Sequence, residues 1–115
     1  MKDLEIMKQY KIRLAVSAGD ADRYAAQLAR ELRDVSPSVQ VQSEPSDPEA
    51  QDFGATLLLI LATPAAVAAA KTIPGIIDAW MKKRRVTIEI QNERGTVRVE
   101  ADRDDIEAAV AAALQ

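Results

Sequence analysis

The sequence predicts an α+β protein, a two-layer sandwich in which helices pack on one face of a four-stranded mixed sheet. Its 115 residues are 48% hydrophobic and 29% charged, which is ordinary for one soluble globular domain. Apolar residues alternate with polar ones in some short segments, as in strands, and recur every three or four residues in others, as in helices. The predicted order is β-α-β-α-α-β-β-α, in a single domain over residues 10–115 that follows a flexible lead-in at residues 1–9.

The first predicted elements are a strand, a helix and a second strand. Residues 11–16 alternate between polar and apolar, which predicts a half-buried strand. Asp20 is expected to cap the helix and Pro37 to end it. The apolar residues at helical spacing are Ala21, Tyr24, Ala25, Leu28, Leu32 and Val35. A short strand with Val39 and Val41 follows, and the helix would be a right-handed crossover between two parallel strands.

The apolar segment over residues 55–70 has three interpretations. Its sixteen residues are too few for a membrane span, which needs about 20. A buried strand over residues 56–62 has a suitable length, and periodicity alone does not separate it from a buried helix. We favour a buried helix that begins within residues 48–52, and leave the strand open. The inward-facing residues of this helix would be Phe53, Leu57, Ile60 and Leu61.

Two prolines divide the helical stretch that follows. Thr63 is expected to cap it with Pro64 in the first position, where the missing amide costs nothing. Pro74 should kink or interrupt it. Around and beyond Pro74 an apolar stripe predicts a helix lying on the sheet, and Asp78 should pair with Lys82 one turn later. The stripe consists of Ile73, Ile76, Ile77, Trp80 and Met81.

A β-hairpin and a last helix complete the predicted domain. Alternating segments at residues 86–91 and 97–101 flank a four-residue loop in which Gly95 is expected to be left-handed. Parity predicts the cross-strand pairs, which are Ile90 with Val97 and Ile88 with Val99. Asp102 is expected to cap the last helix. Its dipole-compensating residues would be Asp104, Asp105 and Glu107, and its inward-facing residues Ile106, Val110, Ala113 and Leu114.

The residue types present exclude several chemistries. The chain contains no His and no Cys, so it forms no disulfide, Cys/His zinc site, thiol nucleophile or Ser-His-Asp system. Its four glycines are isolated from one another, so none builds a phosphate-binding loop. Helix starts account for Asp20 and Asp22, and an ion pair accounts for Asp78. The set Asp102, Asp104 and Asp105 is interpreted as a helix start, with a cation site as the weaker alternative because no Gly provides the turn of a calcium loop. We therefore predict that the protein is not an enzyme and has no catalytic, cofactor-binding or metal-binding residues.

Charge and the N-terminal sequence bear on partners and compartment. A net charge of −3 is too close to neutral to indicate nucleic-acid binding. Charges interrupt each short apolar stretch of the first ten residues, so they lack the apolar core of a secretory signal. The absence of Cys is compatible with a reducing cytoplasm. We expect a cytoplasmic protein with no nucleic-acid partner and no transmembrane span.

Two features indicate a protein-binding surface. Residues 82–85 form a basic run that suits an acidic protein partner, with a solvated junction as the alternative interpretation. The apolar helices predicted within residues 55–80 have two interpretations: they pack entirely inside the domain, or they exceed what a small domain can bury and another chain covers them. The candidate partner-binding residues are Leu58, Leu59, Trp80, Lys82, Lys83, Arg84 and Arg85.

A Gly-Ala-rich apolar segment, a Trp-containing basic helix end and a Val/Ile hairpin follow one another in this chain. They are GATL at residues 54–57 continuing to residue 70, IDAWMKKRR at residues 77–85 and VTIEI at residues 86–90. Together with the amphipathic first helix, this order resembles the bacterial effector-associated constant component family over residues 11–114. The resemblance implies a small non-catalytic partner in bacterial conflict and immunity systems. Its effector would be a caspase-like or trypsin-like peptidase or a TIR-domain protein.

On this basis we expect an adaptor or regulatory component that binds an effector or sensor protein. Two alternatives use residues 55–85 differently. In one, the protein is a self-assembling structural module and the apolar segment joins identical chains. In the other, a peripheral membrane protein docks on lipid through the apolar segment and the basic run.

Overall fold

Five strands and four α-helices make up the described part of the chain, residues 8–35, 37–44 and 55–114 of a computed structural model. In chain order they are β1 (Lys8–Leu14), α1 (Ala18–Arg33), β2 (Gln40–Glu44), β3 (Ala55–Leu61), α2 (Pro64–Ala69), α3 (Ile73–Arg84), β4 (Ile88–Asn92), β5 (Gly95–Val99) and α4 (Ile106–Ala113). A short 3₁₀ turn, Ala70–Thr72, joins α2 to α3.

The strands form one antiparallel sheet in the order β2-β3-β1-β4-β5. The unit β1-α1-β2 has two strands that run in the same direction, with β3 between them. The unit from β3 through α2 and α3 to β4 is split in the same way by β1. Two interleaved split β-α-β units are the arrangement of ferredoxin-like folds, which β5 and α4 extend here.

The predicted α+β class is confirmed, but the predicted four-stranded mixed sheet is wrong. The sheet has five strands, and the element order is β-α-β-β-α-α-β-β-α. The predicted crossover assumed that β1 and β2 are hydrogen-bonded neighbours. Instead β3 lies between them and pairs with both, so each neighbouring pair is antiparallel.

The segment interpreted as a buried helix is the strand β3, so that preference is wrong and the buried strand is correct. Residues 55, 57, 59 and 61 are buried against the helices, whereas Leu58 and Ile60 lie on the opposite face of the sheet. Because β3 carries apolar residues on both faces, it lacks the alternation that marks a half-buried strand. Phe53 and the predicted helix start at residues 48–52 lie outside the described residues.

The helices pack on one face of the sheet and enclose the core. Tyr10, Ile12 and Leu14 of β1 point into it from the middle of the sheet. The large side chains that the helices bury fully are Leu28, Leu32, Ile73, Ile77, Trp80, Met81, Ile106 and Val110. All inward residues predicted for α4 are buried or partly buried, and the stripe predicted for α3 is confirmed, with Ile76 at its partly exposed margin.

The N-terminal elements differ from prediction in their boundaries. β1 begins at Lys8, so residues 8 and 9 of the predicted lead-in are strand, while residues 1–7 lie outside the described part. Ser17 occupies the N-cap position of α1, which corrects the assignment of that position to Asp20. Asp20 lies within the first turn, where its carboxylate accepts a hydrogen bond from Arg23 at 2.8 Å.

The assignments of Pro64 and Pro74 are confirmed, whereas α1 ends at Arg33, ahead of the end predicted at Pro37. The Oγ1 of Thr63 accepts a hydrogen bond from the Ala66 amide at 3.1 Å, and Pro64 stands in the first turn of α2. The helical stretch is interrupted by the 3₁₀ turn, and Pro74 lies in the first turn of α3. A proline in a first turn removes an amide that has no helical partner, so both helices keep their hydrogen-bonding pattern.

The predicted hairpin register is confirmed, with Ile90 opposite Val97 and Ile88 opposite Val99. The pairing continues to Asn92 and Gly95, so the turn has two residues instead of the four predicted. Neither Glu93 nor Arg94 has a positive φ, as expected for side-chain-bearing residues. The Oδ1 of Asn92 accepts hydrogen bonds from the amides of Arg94 and Gly95, and Gly95 has a φ of +140°, outside the left-handed helical region.

The capping role predicted for Asp102 is also wrong. α4 begins at Ile106, and Asp105 occupies its N-cap position without a side-chain capping bond. Arg103 donates to both carboxylate oxygens of Asp105 at 2.8 Å, which competes with capping. These hydrogen bonds hold the pKa of Asp105 below its ordinary value.

Candidate interaction surface

The sheet face that points away from the helices is here called the open face. Its side chains come from alternate positions on all five strands, and none of them belongs to the helix-covered core. In β1 these positions are Gln9, Lys11 and Arg13, and in β3 they are Thr56, Leu58 and Ile60. No described helix packs on this face. It therefore combines two large apolar side chains, the partly exposed Leu58 and the buried Ile60, with polar and charged neighbours.

The apolar residues of the open face lie on β3, between β1 and β2. Ile60 pairs with Gln9 on one side and Gln40 on the other, and Leu58 pairs with Lys11 and Gln42. Leu58 is half-buried, and Ile60 retains 9% of its exposure although it lies outside the main core. Long polar side chains around an apolar pair are typical of a small contact patch with an apolar centre and a polar rim.

A cavity of about 410 Å³ opens on this face beside Leu58. Its lining residues are Gln9, Lys11, Leu58, Gln91, Asn92 and Glu93. The rim carries one cation and one anion, with three side-chain amides between them. Such a lining can take an apolar side chain over Leu58 while amides and charges orient its polar neighbours.

The neighbouring part of the open face is occupied by its own contacts. Arg13 donates to the Oε1 of Gln91 at 3.4 Å. Arg98 lies 3.9 Å from Glu89 and 3.4 Å from Glu100. Exposed ion pairs of this kind contribute little to stability, but they offset the charges locally. The cavity beside Leu58 adjoins these contacts and shares Gln91 with them.

The basic run is dispersed by the end of α3. Lys82 pairs with Asp78 at 3.2 Å, which confirms the predicted ion pair, and Lys83 is exposed. Arg84 turns inward, where its Nε donates to the Oε1 of Gln27 at 2.8 Å. Arg85 ends the helix in the left-handed conformation with a φ of 55°. The run therefore does not form one continuous cationic surface.

Acidic residues also lie near the run. Lys82 and Arg85 line a cavity of about 600 Å³ together with Thr87, Glu100, Ala101 and Asp102. Two carboxylates beside two cations make this site less selective for an acidic partner than the sequence suggests. We infer that the run is the weaker of the two candidate surfaces.

Two of the candidate partner-binding residues lie in the core. Leu59 is 0% exposed and Trp80 is 1% exposed, so a partner cannot reach them in the folded protein. Trp80 packs edge-on against Tyr24, with ring centroids 6.1 Å apart, and the guanidinium of Arg84 lies 5.3 Å from the centre of its ring. These contacts give Trp80 and Arg84 structural roles. Leu58, Lys82, Lys83 and Arg85 are at least partly accessible.

Neither a metal site nor a perturbed catalytic group is evident in the described residues. They contain no group of three or more Asp or Glu side chains arranged to hold a metal ion. Burial raises the pKa of Tyr10, and the nearby charge of Glu93 raises it further. The Tyr10 hydroxyl donates a hydrogen bond to the Leu114 carbonyl at 2.8 Å, so its role is structural. None of the four described helices has the length and hydrophobicity needed to cross a bilayer.

No model of a known protein family and no curated protein matches this chain. Its function is therefore inferred from the surface itself and from the resemblance in sequence pattern.

Sequence reasoning missed the part that Gln9, Lys11, Ile60 and Gln91 play in this surface. The signal was present, because the alternation of β1 already points the Lys11 side chain to the face of the sheet opposite Ile12. A strand interpretation of residues 55–61 would have placed Leu58 on one face and Leu59 on the other by parity. What the sequence does not contain is the pairing of β3 with β1, which puts Leu58 beside Lys11.

Proposed function

We propose that this protein is a non-catalytic adaptor that binds an effector or sensor protein in a bacterial conflict or immunity system. The cavity beside Leu58 on the open face carries the proposal, because it offers an apolar floor and a polar rim on the surface of a five-stranded sheet. The resemblance to the bacterial effector-associated constant component family supports the kind of partner, a peptidase-type or TIR-type effector. Cytoplasmic localisation belongs to the same proposal.

The chemistry of the open face favours a protein partner over a nucleic acid. Sheet surfaces that bind single-stranded RNA stack bases on aromatic side chains. The described open-face positions carry aliphatic, hydroxyl, amide and charged side chains instead. An apolar side chain inserted over Leu58, with polar groups meeting Gln9 and Gln91, fits this lining.

Co-purification with the effector encoded by the neighbouring gene tests this surface. We expect Leu58→Glu and Lys11→Glu each to reduce capture of the effector at least about tenfold, since both alter the cavity. Lys71→Glu is the matched control for Lys11→Glu, because it makes the same charge change at an exposed residue of the 3₁₀ turn that does not line this cavity. Circular dichroism and thermal unfolding verify that each variant is folded.

Unchanged capture by folded Lys11→Glu and Leu58→Glu variants would overturn the proposed surface. The basic run is tested separately by changing Lys82, Lys83 and Arg85 to Glu together. Arg84 is left unchanged because it packs on Trp80 and bonds to Gln27. Loss of capture in this variant alone would move the effector contact from the open face to the end of α3.

A further inference from the structure

The two edges of the sheet differ in whether a side chain covers their backbone groups. At the β2 edge, the guanidinium of Arg33 in α1 donates to the Val41 carbonyl through Nε at 3.2 Å and Nη2 at 2.6 Å. This side chain satisfies an outward-facing backbone group and covers the edge, a common protection against further strand pairing. The β5 edge has no comparable cover among the described residues.

The backbone groups that β5 presents can be assigned from the ladder. The Ala15 amide donates to the Thr87 carbonyl at 2.9 Å. Because hydrogen-bonded pairs alternate along an antiparallel ladder, the backbone amides and carbonyls of residues 87, 89 and 91 point toward β1. The backbone amides and carbonyls of residues 88, 90 and 92 therefore point toward β5, where they bond to residues 99, 97 and 95. The amides and carbonyls of Thr96 and Arg98 then point away from the sheet. Both residues are exposed.

The sequence of β5 contains no feature that prevents pairing at this edge. It is GTVRV, with no proline and with β-branched residues at three of its five positions. Val97 is partly buried against the core, so one flank of its side chain stays open at the edge. The Arg98 side chain is held on the open face by Glu89 and Glu100 and does not fold over the edge.

We propose that two copies of this chain associate through antiparallel pairing of their β5 strands about a two-fold axis at Val97. Thr96 of each copy would exchange both backbone hydrogen bonds with Arg98 of the other, and the two Val97 side chains would meet on the helix-covered face. The result is one continuous sheet through both copies. This pairing is independent of the effector and of the cavity beside Leu58, and it differs from self-assembly through residues 55–85.

Charge and strand length select this register over its neighbours. An axis at Arg98 would place the two Arg98 side chains opposite each other. An axis at Thr96 would set Arg98 and Val99 against the turn residues of the second copy, beyond its β5. Like charges directly opposite each other are destabilising. The axis at Val97 opposes Arg98 to Thr96, so it brings no like charges into a cross-strand pair. It also uses the whole of β5, Gly95–Val99.

Disulfide trapping tests the register, because the chain has no cysteine of its own. The residues of a pair that is not hydrogen-bonded lie about 4.5 Å apart at Cα, within the range a disulfide needs. We expect Val97→Cys to form a disulfide-linked dimer under mild oxidation faster than Gln42→Cys, an exposed control on β2. Equal rates for the two variants overturn the proposal. Faster linkage of Arg98→Cys than of Val97→Cys overturns the register.

A reversible assay without disulfides uses Thr96, whose exposed side chain would lie opposite Arg98 of the second copy. Sedimentation equilibrium should show that Thr96→Lys raises the dimer dissociation constant and that Thr96→Glu lowers it. Each change should be about two- to thirtyfold, because the Thr96–Arg98 contact occurs twice per dimer. A wild-type chain that stays monomeric at millimolar concentration contradicts the proposal. So does an identical dissociation constant for the Lys and Glu variants.

Discussion

At the scale of single residues, Tyr10 connects the central strand to the end of the last helix. Its ring is 3% exposed, and its hydroxyl donates to the Leu114 carbonyl at 2.8 Å. Burial raises its pKa above the ordinary value of 10.0, Glu93 adds to the increase, and Arg94 opposes it. The folded state therefore retains the phenolic proton at a pH where the unfolded chain has lost it.

Tyr10→Phe should consequently change the pH dependence of stability. The contribution from Tyr10 is fully present below pH 10, where Tyr is protonated in both states, and is lost as pH rises through the raised folded-state pKa. Thermal unfolding between pH 8 and 11.5 should show a steeper loss in the wild type than in Tyr10→Phe. At pH 8 the substitution should lower the free energy of unfolding by about 0.5–1.5 kcal/mol. Parallel pH profiles would contradict this assignment.

Arg84 is the member of the basic run that we expect to stabilise the fold. Arg84→Ala removes its contact with the Trp80 ring and its hydrogen bond to Gln27, at an expected cost of about 1–2 kcal/mol in urea unfolding. Lys83→Ala is the control, because Lys83 is exposed and its loss should change stability by less than about 0.5 kcal/mol. Equal effects of the two substitutions would show that the Trp80 contact is unimportant.

At the scale of elements, β3 is the strand that the apolar pattern concealed. Two adjacent leucines distinguish a strand from a helix here, since Leu57 is 0% exposed in the core while Leu58 lies on the open face. Leu57→Ala should lower the free energy of unfolding by about 2–5 kcal/mol, as a cavity in the core requires. Leu58→Ala should cost about 1 kcal/mol or less. Similar losses at both positions in urea unfolding would argue against the alternation.

The end of α3 illustrates a different element-scale constraint, a left-handed residue that is not glycine. Arg85 has a φ of 55°, which an L-residue adopts at a cost that glycine avoids. Arg85→Gly should therefore be more stable than Arg85→Ala by about 1 kcal/mol, since both lose the same charge. At Lys83, inside the helix, Ala should instead be more stable than Gly by about 1 kcal/mol. The same order at both positions in thermal unfolding would contradict the helix end at Arg85.

Among the elements, those with a clean period were predictable, and those with apolar residues on both faces were not. α1 and α3 show one-sided stripes, and the hairpin register followed from parity. Helix starts were less predictable, because Asp20 and Asp105 lie near the first turns but bond to Arg23 and Arg103. The local sequence supplies several carboxylates at each helix start, and ion pairs with neighbouring arginines decide which carboxylate is free to cap the helix.

At the scale of the whole molecule, β5 and α4 complete the interleaved β-α-β units. α4 contacts α3, β4 and β5, and it buries Ile106 and Val110 completely. A chain ending after Asn92 would expose the faces of α3 and β4 that these residues cover. We expect this truncated chain to lose cooperative thermal unfolding, monitored by circular dichroism. A cooperative transition whose melting temperature falls by only a few degrees would instead show that the fold does not depend on β5 and α4.

The candidate surface also belongs to this scale, since it combines residues that are distant in sequence. Leu58 was selected from the sequence, but its neighbours Lys11 and Gln91 were not, because they come from β1 and β4. Trp80 and Leu59 were selected for their apolarity and are buried for the same reason. Apolarity indicates that a residue needs cover, and the tertiary structure decides whether the chain itself provides it.

The sequence by itself determined the α+β class, the amphipathic helices α1 and α3, the start of α2 at Thr63 and Pro64, and the pairing of Ile88 and Ile90 with β5. These follow from local periods and turn residues, which act over a few positions of the chain. Tertiary structure alone decided that residues 55–61 form a strand between β1 and β2, and hence which of their side chains are exposed. Strand order depends on pairing between distant segments, and a continuous apolar run satisfies helix and strand equally until its neighbours are in place.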